Sequence, residues 1–444
     1  MRSTFDSLKF FNYRLWFAGA LVANVGTWMQ RIAQDWLVLT ILSDDSGLAI
    51  GIVTGLQFLP MLLLSPFGGL LADRLPRRKL LIGTQSALAV LAAGLGVLVL
   101  GGHAQLWHVY VFALMLGVVT ALDNPVRQTF VAEMVPPASL PNAVGLNSAS
   151  FNAARLIGPG VSGLLIAVVG PGWIFIINAA SFAATILSLT LMRKDELHEL
   201  PHTSRGKGQI REGMAYVRGR SDILTIMVVV GVVGALGLNF QMTSALMVRE
   251  VFEREAGEYG ILGSIMAVGS LGGALMAARR KQPRVRLVLG AAFAFGVASG
   301  LMALMPTYEL YALMTIPVGF ASLTMMTAAN ATVQMSTDPH FRGRVMSLYM
   351  MVFLGTTPIG APIVGWVGET LSARWAVGVG SISAILVSVA AAFWVKRHWE
   401  VEVTYRLRHR PHLRMVGPTE RARSREEAKA RLGASDAENA TGLA

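Results

Sequence analysis

The chain contains no cysteine among its 444 residues. This absence excludes disulfide bonds, thiol nucleophiles and cysteine-ligated metals. Charged residues are also scarce at 14%, whereas hydrophobic residues make up 53% of the chain and the mean hydropathy is +0.54. Soluble domains usually have about 25% charged residues. The composition therefore predicts an integral membrane protein.

The apolar residues form twelve segments that are each long enough to cross a bilayer. A spanning helix needs about 20 residues that are mostly apolar, with a few more for tilt. The predicted spans lie near 14–41, 47–71, 80–101, 107–131, 143–169, 172–192, 222–247, 257–278, 286–305, 308–332, 345–369 and 373–396. The N-terminus is basic and amphipathic, and no short apolar core with a cleavage site follows it. We therefore expect an all-α membrane protein whose first span is not cleaved.

The longest polar stretch between spans divides the chain into two six-helix halves. The predicted units are an N-terminal bundle (1–192), a cytoplasmic central loop (193–221), a C-terminal bundle (222–396) and a cytoplasmic, disordered tail (397–444). In the central loop, a helix over 209–220 is expected to lie along the membrane surface. The tail is expected to lie against anionic lipid because it is rich in arginine.

The two halves resemble each other weakly at an offset near ~200 residues, as in transporters built from repeats. Ile157-Gly158-Pro159 with Gly163 is echoed by Ile359-Gly360 with Pro362 and Gly365. The fifth and eleventh spans are therefore predicted to be counterparts, with a substrate site between the halves.

The net charge of +12 comes from basic residues in alternate loops. They are Arg2, Lys9, Arg14, the segment 74–79, Arg193, Lys194, Arg205, Lys207, Arg211, Arg218, Arg220, Arg279, Arg280, Lys281, Arg284 and Arg286. This alternation is the positive-inside pattern, which predicts cytoplasmic termini and no binding of nucleic acid. Several tryptophans near predicted span ends suggest an interfacial belt: Trp16, Trp36, Trp107, Trp173, Trp375, Trp394 and Trp399.

Polar residues inside the first span suggest a functional site, because ionisable groups are costly in a bilayer. Asn24, Trp28, Arg31 and Asp35 are spaced four, three and four apart and share one helical face. An acid between an arginine and an apolar interior can change its protonation when a substrate or a helix movement alters its partner. Asp35 and Arg31 are therefore candidates for proton coupling. The alternative is a static ion pair that orients the first span.

The fourth and fifth spans add further ionisable candidates. Asp123 and Arg127 are four residues apart, with Pro125 between them. Arg155 lies near the middle of the fifth span, where it must face protein or water rather than lipid. From the sequence, Arg155 either binds a substrate anion or pairs with Asp123 or Asp35. Asp123 is the second candidate for proton exchange, after Asp35.

The second half has few charges inside its spans. Its main polar groups there are Asn239 and Gln241 in the seventh span and Asn330 and Gln334 around the end of the tenth. We expect coupling charges in the first half and mostly apolar and aromatic substrate contacts in the second. Asn24, Trp28, Asn239, Gln241 and Asn330 are the cavity candidates. The 22 methionines suit an adaptable cavity wall, although methionine is also ordinary membrane filler.

Three stretches resemble the major facilitator superfamily of transporters. The sequence GGLLADRLPRRK (68–79) resembles its loop motif between helices two and three, with Pro76 in place of a more usual glycine. The sequence RLIGPGVSG (155–163) resembles the fifth-helix motif of antiporters but lacks a doubled glycine at its end. With GTWMQRIAQDWLVLT (26–40), ALDNPVRQTFVAEMVP (121–136) and NAVGLNSASFNAARLIGP (142–159), the chain resembles the branch of enterobactin-exporter-like transmembrane secretion effectors and macrolide efflux proteins.

The resemblance implies roles for two groups of residues. One is a gating loop that holds the cytoplasmic side shut in the outward-open state: Gly69, Asp73, Arg74, Arg77 and Arg78. Asp73 would cap the eleventh helix near Arg344 to Ser347, and the arginines would pair with acids or lipid phosphates, with Glu133 a candidate. Gly158, Pro159 and Gly163 would allow close packing and bending between the halves.

The predicted function is proton-coupled export of an amphipathic small molecule, such as a drug-like compound or a siderophore, by alternating access. An importer or lysophospholipid translocator of the same fold is the alternative, and a membrane enzyme or receptor is the remote one. The sequence has no metal-ligand cluster, nucleophile elbow or phosphate-binding loop, so we expect no enzyme, metal or cofactor. The expected partners are the bilayer, protons and a small molecule. We expect the protein to be a monomer and to lie in the cytoplasmic membrane.

Overall fold

The computed structural model describes residues 5–198, 209–278, 285–338 and 341–398, apart from the side chains of 65–74, 209–211, 278, 354 and 398. Long helices dominate this part of the chain. The first half contains α1 (Phe11–Leu37), α2 (Gly47–Arg74), α3 (Arg77–Leu100), α4 (Leu106–Met134), α5 (Leu140–Val169) and α6 (Pro171–Leu191).

The remaining helices form the central-loop segment and the second half. They are α7 (Gln209–Arg218), α8 (Ser221–Leu236), α9 (Phe240–Leu246), α10 (Ala256–Ala278), α11 (Val285–Ala303), α12 (Tyr308–Ser336), α13 (Arg342–Gly355), α14 (Thr357–Thr370) and α15 (Ala373–His398). Eleven segments of the described chain are long and apolar enough to cross a membrane. The one predicted span that is not among these eleven is the first, α1, which is more polar because it carries Arg31 and Asp35. The all-α, twelve-span architecture is thereby confirmed.

Two predicted spans are interrupted, which their hydropathy did not indicate. The seventh consists of α8 and α9, separated at Gly237–Asn239. The eleventh consists of α13 and α14, which meet at Thr356. Pro358 lies in the first turn of α14, where its missing N–H leaves no helical bond to lose. Each interruption lies about halfway along its span, at the depth where transporters commonly bind their ligands.

The helices pack as two groups, α1 to α6 and α8 to α15, that meet along two helix pairs. In one pair α5 lies against α10, and in the other α2 lies against α14. A Cβ on Gly163 would stand 2.5 Å from the carbonyl oxygen of Ala256, and a Cβ on Gly365 would overlap the carbonyl oxygen of Gly47. Only glycine allows these backbones to approach so closely.

The two groups make equivalent contacts at equivalent positions. Gly158 of α5 packs on Trp28 in the first span, and Gly360 of α14 packs on Ala235 in the seventh. Gly163 and Gly365 each make a close contact between the groups. The first and seventh spans also both end in π-helical turns, Val38–Leu42 and Met247–Val251. Pro159 and Gly163 thus lie between the halves, whereas Gly158 packs within the first half.

The helix α7 confirms that the central loop contains a helical segment. It packs on α13, where Tyr216 stacks on Phe341 with ring centroids 4.6 Å apart. Arg344 at the start of α13 donates to Glu212 of α7 at 2.6 Å. The remainder of the loop and the predicted tail lie mainly outside the described residues.

The predicted tryptophan belt is partly wrong. Trp16 and Trp36 are only 1% and 5% exposed, respectively, and are packed inside the protein. Trp16 lies edge-on to Phe130 of α4, and Trp36 stacks on Tyr259 of α10. The other tryptophans of the predicted belt that the structure describes are exposed: Trp107, Trp173, Trp375 and Trp394. Trp399 lies outside the described residues.

Candidate functional site

A cavity lies between the two halves, beside the interruption of the seventh span. Its volume is about 230 Å³, somewhat below the ~300–1,000 Å³ of typical small-molecule pockets. The first half contributes Trp28, Arg31, Ile32, Thr54, Phe58, Arg155 and Pro159 to its wall. The second half contributes mostly apolar and aromatic residues, together with backbone at Gly237–Asn239. Both charged residues among the described lining groups therefore come from the first half.

The halves are joined at the end of the molecule that we call the far end, which carries Asp45, Arg249 and Glu369. Arg249 donates to Asp45 at 3.2 Å. The carboxylate of Glu369 accepts bonds from the Ser46 hydroxyl at 2.5 Å and from the Leu48 N–H at 3.1 Å. These bonds connect the loop between α1 and α2 to the second half, so the cavity is closed toward the far end.

The halves separate toward the opposite end, which we call the basic end because it carries Arg77 and Arg78. Along the far-end part of α5, Gly163 lies against α10 and Ser264 donates to the Leu156 carbonyl at 2.7 Å. The same face of α5 continues toward the basic end with Ser148 and Ala149, which are exposed. This face of α5 is therefore uncovered there among the described residues, which places the open side of the cavity toward the basic end.

Arg31 and Arg155 converge on one aromatic ring in this cavity. The Arg31 guanidinium carbon lies 5.1 Å from the centre of the Trp28 ring, and that of Arg155 lies 5.8 Å from it. Arg31 also lies 5.6 Å from the Phe58 ring of α2. The Nε of Arg31 is buried and has no hydrogen-bond partner among the residues that the structure describes. The spacing along α1 thus places both Trp28 and Arg31 in the cavity wall, and α5 brings Arg155 to the Trp28 ring.

Asp35 bonds across the two halves instead of to Arg31. The hydroxyl of Tyr259 in α10 donates to its Oδ2 at 3.1 Å, and the neighbouring Trp36 stacks on the same tyrosine ring. No ion pair joins Arg31 and Asp35 in the part of the chain that the structure describes, so the pairing allowed by their spacing is not formed. The carboxyl of Asp35 is 8% exposed and lies about one helical turn from the cavity arginine.

Asp123 belongs to a separate network inside the first half. Its Oδ1 accepts bonds from Thr84 at 2.6 Å and from Gln85 at 2.9 Å, and its Oδ2 accepts one from Arg127 at 3.1 Å. Arg127 lies over the Trp16 ring. This network joins α3 to α4 and contributes no residue to the cavity wall. The alternative pairing of Arg155 with Asp123 is not formed among the described residues.

The remaining cavity candidates lie in different places. Asn239 and Gln241 line the cavity at the interruption, where Asn239 donates to the Ala235 carbonyl at 2.6 Å. Asn24 donates to Ser150 of α5 at 3.4 Å, and Asn330 accepts from Gln334 at 2.6 Å. Neither Asn24 nor Asn330 belongs to the described wall of the cavity. Four methionines do: Met242, Met266, Met302 and Met326.

The predicted gating loop is described only in part. Gly69, Asp73 and Arg74 lie in α2, where their side chains are outside the described residues, so the expected contact of Asp73 with the start of α13 is not tested. Arg77 forms an ion pair with Glu133 of α4, which was the acid suggested for this loop. Arg78 donates to the carbonyls of Leu189 at 2.7 Å and Thr190 at 2.9 Å, at the end of α6. Those partners belong to the same half.

Two residues of the site were missed by the sequence interpretation. Tyr259 is only 2% exposed and holds Asp35, and Phe58 covers Arg31. Phe58 lies in an apolar stretch of the second span, and Tyr259 lies near the start of the eighth span, next to Glu258. An isolated aromatic residue in such a span is ordinary core, so neither position carried a local signal.

The chain was compared with known families and curated proteins. Residues 2–419 match the family described as transmembrane secretion effector. The multidrug efflux pump Tap of Mycolicibacterium fortuitum is 28% identical over 84% of this chain and 93% of its own length. The staphyloferrin A transporter of Staphylococcus aureus is 24% identical, over 86% and 95%. Macrolide efflux protein A of Streptococcus pyogenes is 23% identical, over 80% and 87%.

Similar solved structures share the fold at low sequence identity. One is a bacterial homolog of the human lysosomal transporter Spinster in an inward-facing, unoccupied conformation, with a TM-score of 0.64 and 17% identity over 86% of this chain and 96% of that one. Another is a D-xylose-proton symporter, with a TM-score of 0.67 and 12% identity over 88% and 97%. The likeness supports the arrangement of the helices and does not extend to the substrates.

Proposed function

Because the chain belongs to the transmembrane secretion effector family of major facilitator transporters, we propose that it exports an amphipathic small molecule in exchange for protons. It is a multi-pass membrane transporter and not an enzyme. In the proposed cycle the halves rock about the cavity, which opens alternately to the two sides of the membrane. The described conformation is the one that loads substrate.

The bond between Asp35 and Tyr259 is the observation that carries the proton-coupling proposal. It connects the first and second halves near the closed end, and Asp35 is adjacent to the cavity arginine. An ionised carboxylate accepts a stronger hydrogen bond than a neutral carboxyl group does. Protonation of Asp35 therefore weakens a contact that closes the far end, which links proton binding to the rocking of the halves. Asp123 stays the second candidate.

The relatives support export as the direction and an amphipathic molecule as the cargo. They include multidrug and macrolide efflux proteins and a transporter of the siderophore staphyloferrin A. The aromatic and methionine-rich wall of the second half suits a ligand with a large apolar part. Basic loops at one end favour a cytoplasmic location for that end and for both termini, in the cytoplasmic membrane of a bacterium.

Further elements of the proposal follow from the helix packing. The first and second six-span bundles are the two moving units, joined by the central loop, and one chain contains the whole cavity, so we propose a monomer. Gly69, Asp73, Arg74, Arg77 and Arg78 would close the basic end when the far end opens. Pro159 and Gly163 would form the surface over which α5 and α10 separate.

The proposal is tested with purified protein in liposomes that hold a pH dye and an acidic interior. Lipophilic cations, macrolides and catecholate chelators are added outside, and substrate-dependent proton efflux is recorded. We expect efflux with the wild type and none with Asp35→Asn. Tyr259→Phe removes only the hydroxyl group and should weaken the dependence of transport on pH. Asp44→Asn is the matched control, because Asp44 is exposed and asparagine tolerates its positive φ of 47°.

Two outcomes would contradict the proposal. Folded protein that moves no protons with any compound would point to import or to lipid translocation instead. An Asp35→Asn variant that still exports against a gradient, with unaltered pH dependence, would make Asp35 a structural residue. In that case the same assay applied to Asp123→Asn would examine the second candidate.

A further inference from the structure

We propose that the cavity recognises an amphipathic organic anion, whose carboxylate or other acidic group binds between Arg31 and Arg155 beside Trp28. This inference rests on the proposed transport function and adds the charge of the cargo. The expected ligand has a flat or bulky apolar body with one acidic group at its end.

The first step is the position of the two guanidinium groups. Both approach the Trp28 ring, at 5.1 Å and 5.8 Å from its centre, although they come from different helices. The two cations therefore lie within about 11 Å of each other, in a cavity of low polarity. Like charges repel strongly in such surroundings, since the effective dielectric constant is far below that of water. An anion bound between them removes this repulsion.

The second step is that neither arginine is hydrogen-bonded or ion-paired to a carboxylate among the described residues, although Asp35 lies near enough for its charge to act on Arg31. Asp35 accepts its bond from Tyr259, and both oxygens of Asp123 are occupied by other groups. The buried Nε of Arg31 has no acceptor. Arginines inside membrane spans are normally paired, because an unpaired charge is costly there. A substrate anion would supply the missing acceptor.

The third step concerns the rest of the wall. The residues opposite the arginines are apolar and aromatic, including Phe240, Phe295 and Phe353 of the second half. The polar groups among them are neutral amides and hydroxyls, such as those of Gln241 and Ser299. No acid lines the described part of the cavity, so a cationic drug would find no carboxylate there and would be repelled by the two arginines. The chemistry selects an anionic head and an apolar body.

The inference is tested by equilibrium binding, which needs no proton gradient. Purified protein is mixed with three labelled probes that share one ring system and differ in charge: 2-naphthoate, 2-naphthamide and 2-(aminomethyl)naphthalene. We expect 2-naphthoate to bind about tenfold more tightly than either other probe, the gain typical of a hydrogen bond to a charged group. This comparison uses only the wild-type protein.

Variants then identify the groups responsible. Arg31→Gln and Arg155→Gln should each weaken 2-naphthoate binding about tenfold and leave 2-naphthamide binding nearly unchanged. Arg31→Lys and Arg155→Lys keep the charge and should restore part of the affinity. Arg193→Gln is the control, because Arg193 is exposed outside the cavity. Thermal unfolding of each variant verifies that it is folded.

The result that would overturn the inference is a cation that binds as tightly as 2-naphthoate, or glutamine variants that bind 2-naphthoate like the wild type. The proton-coupling proposal can fail separately. Anion binding that depends on both arginines, in protein that moves no protons, would leave the anion site in place and remove the antiport. Proton exchange that occurs only with cationic drugs would support the antiport and contradict the anion site.

Discussion

The two buried acids of the first half, Asp35 and Asp123, differ in how completely they are bonded. Asp123 accepts three hydrogen bonds, one of them from an arginine, within one bundle. Asp35 accepts one described side-chain bond, and its donor lies in the other bundle. A fully bonded carboxylate stabilises a fold, whereas one that bonds across a moving interface can respond to motion. The same residue type therefore serves different purposes in two spans.

The bonding of Asp123 leads to a prediction about stability. Asp123→Ala leaves Arg127 without its partner and should lower the free energy of unfolding by about 3–5 kcal/mol, as when one member of a buried ion pair is removed. The measurement is thermal unfolding in detergent, where the variant should show a clearly lower Tm. Asp195→Ala, at an exposed position, should change the Tm little. A variant with the wild-type Tm but no transport would instead assign Asp123 to proton coupling.

At the scale of helices, close glycine contacts determine how the halves meet. Gly163 in α5 and Gly365 in α14 allow the two interface pairs to close at the far end. The same two helices hold their own bundles through Gly158 and Gly360. Each helix therefore has small-residue contacts both within its half and across the interface. This pattern explains the faint sequence repeat, because equivalent helices need small residues at equivalent heights.

The glycine contacts predict that a larger side chain at one of them shifts the protein toward the conformation open at the far end. Gly163→Val places side-chain atoms against the Ala256 carbonyl and should destabilise the closed far end by about 1–3 kcal/mol, the usual cost of overpacking. We expect a shift of about 5- to 150-fold toward the state open at the far end. Because the chain has no native cysteine, spin labels at the exposed positions Ile41→Cys and Leu371→Cys can report this opening without background.

The control for that experiment is Gly290→Val. An added Cβ at Gly290 of α11 meets no atom within 4 Å, so this variant should keep the wild-type distance distribution. If Gly163→Val also kept that distribution, the contact between α5 and α10 would not limit opening. A loss of folded protein in both variants would instead reflect the valine in the helix and not the interface.

At the scale of the whole molecule, polar contacts at the far end stabilise the conformation that is open at the basic end. Arg249 of the second half pairs with Asp45 of the first, and Glu369 binds Ser46 and Leu48. These groups are partly exposed, so each contributes modestly, about 0.2–1 kcal/mol for an exposed ion pair. Small contributions suit a transporter, since both conformations must be populated during the cycle.

This ion pair yields a prediction that charge exchange can reverse. Arg249→Asp sets two acids against each other and should increase the population open at the far end about two- to fivefold, from the size of exposed pairs. Adding Asp45→Arg restores opposite charges and should return the population part of the way toward the wild type, because arginine is strained at the positive φ of 64°. The spin-label distances measure both, and high salt should reduce the difference because it screens exposed charges. If the double variant had the same population open at the far end as Arg249→Asp, the pair of Arg249 and Asp45 would not contribute to closing that end.

Hydropathy and helical spacing determined the membrane class, the twelve spans and the placement of Trp28 and Arg31 on one face of α1, and the resemblance of the motifs indicated the fold. These properties are local, because a residue's burial in lipid and its position on a helix depend on nearby sequence. Hydropathy could not predict the interruptions at Gly237–Asn239 and at Thr356. It is averaged over a segment as long as a span, and a short break in the helix leaves that segment apolar. It also misassigned Trp16 and Trp36 to the membrane surface, since an aromatic residue near a span end can face lipid or protein.

Only the tertiary structure decided how the charged residues combine. Asp35 finds its donor 224 residues away at Tyr259, and Arg155 meets Arg31 at the Trp28 ring. The sequence left open three partners for Arg155, and its spacing with Asp35 suggested an ion pair for Arg31 that does not form. Partners on different helices depend on the rotation and relative height of each helix. Those are fixed by packing between distant segments, such as the contact of Gly163 with α10, and no local pattern records them.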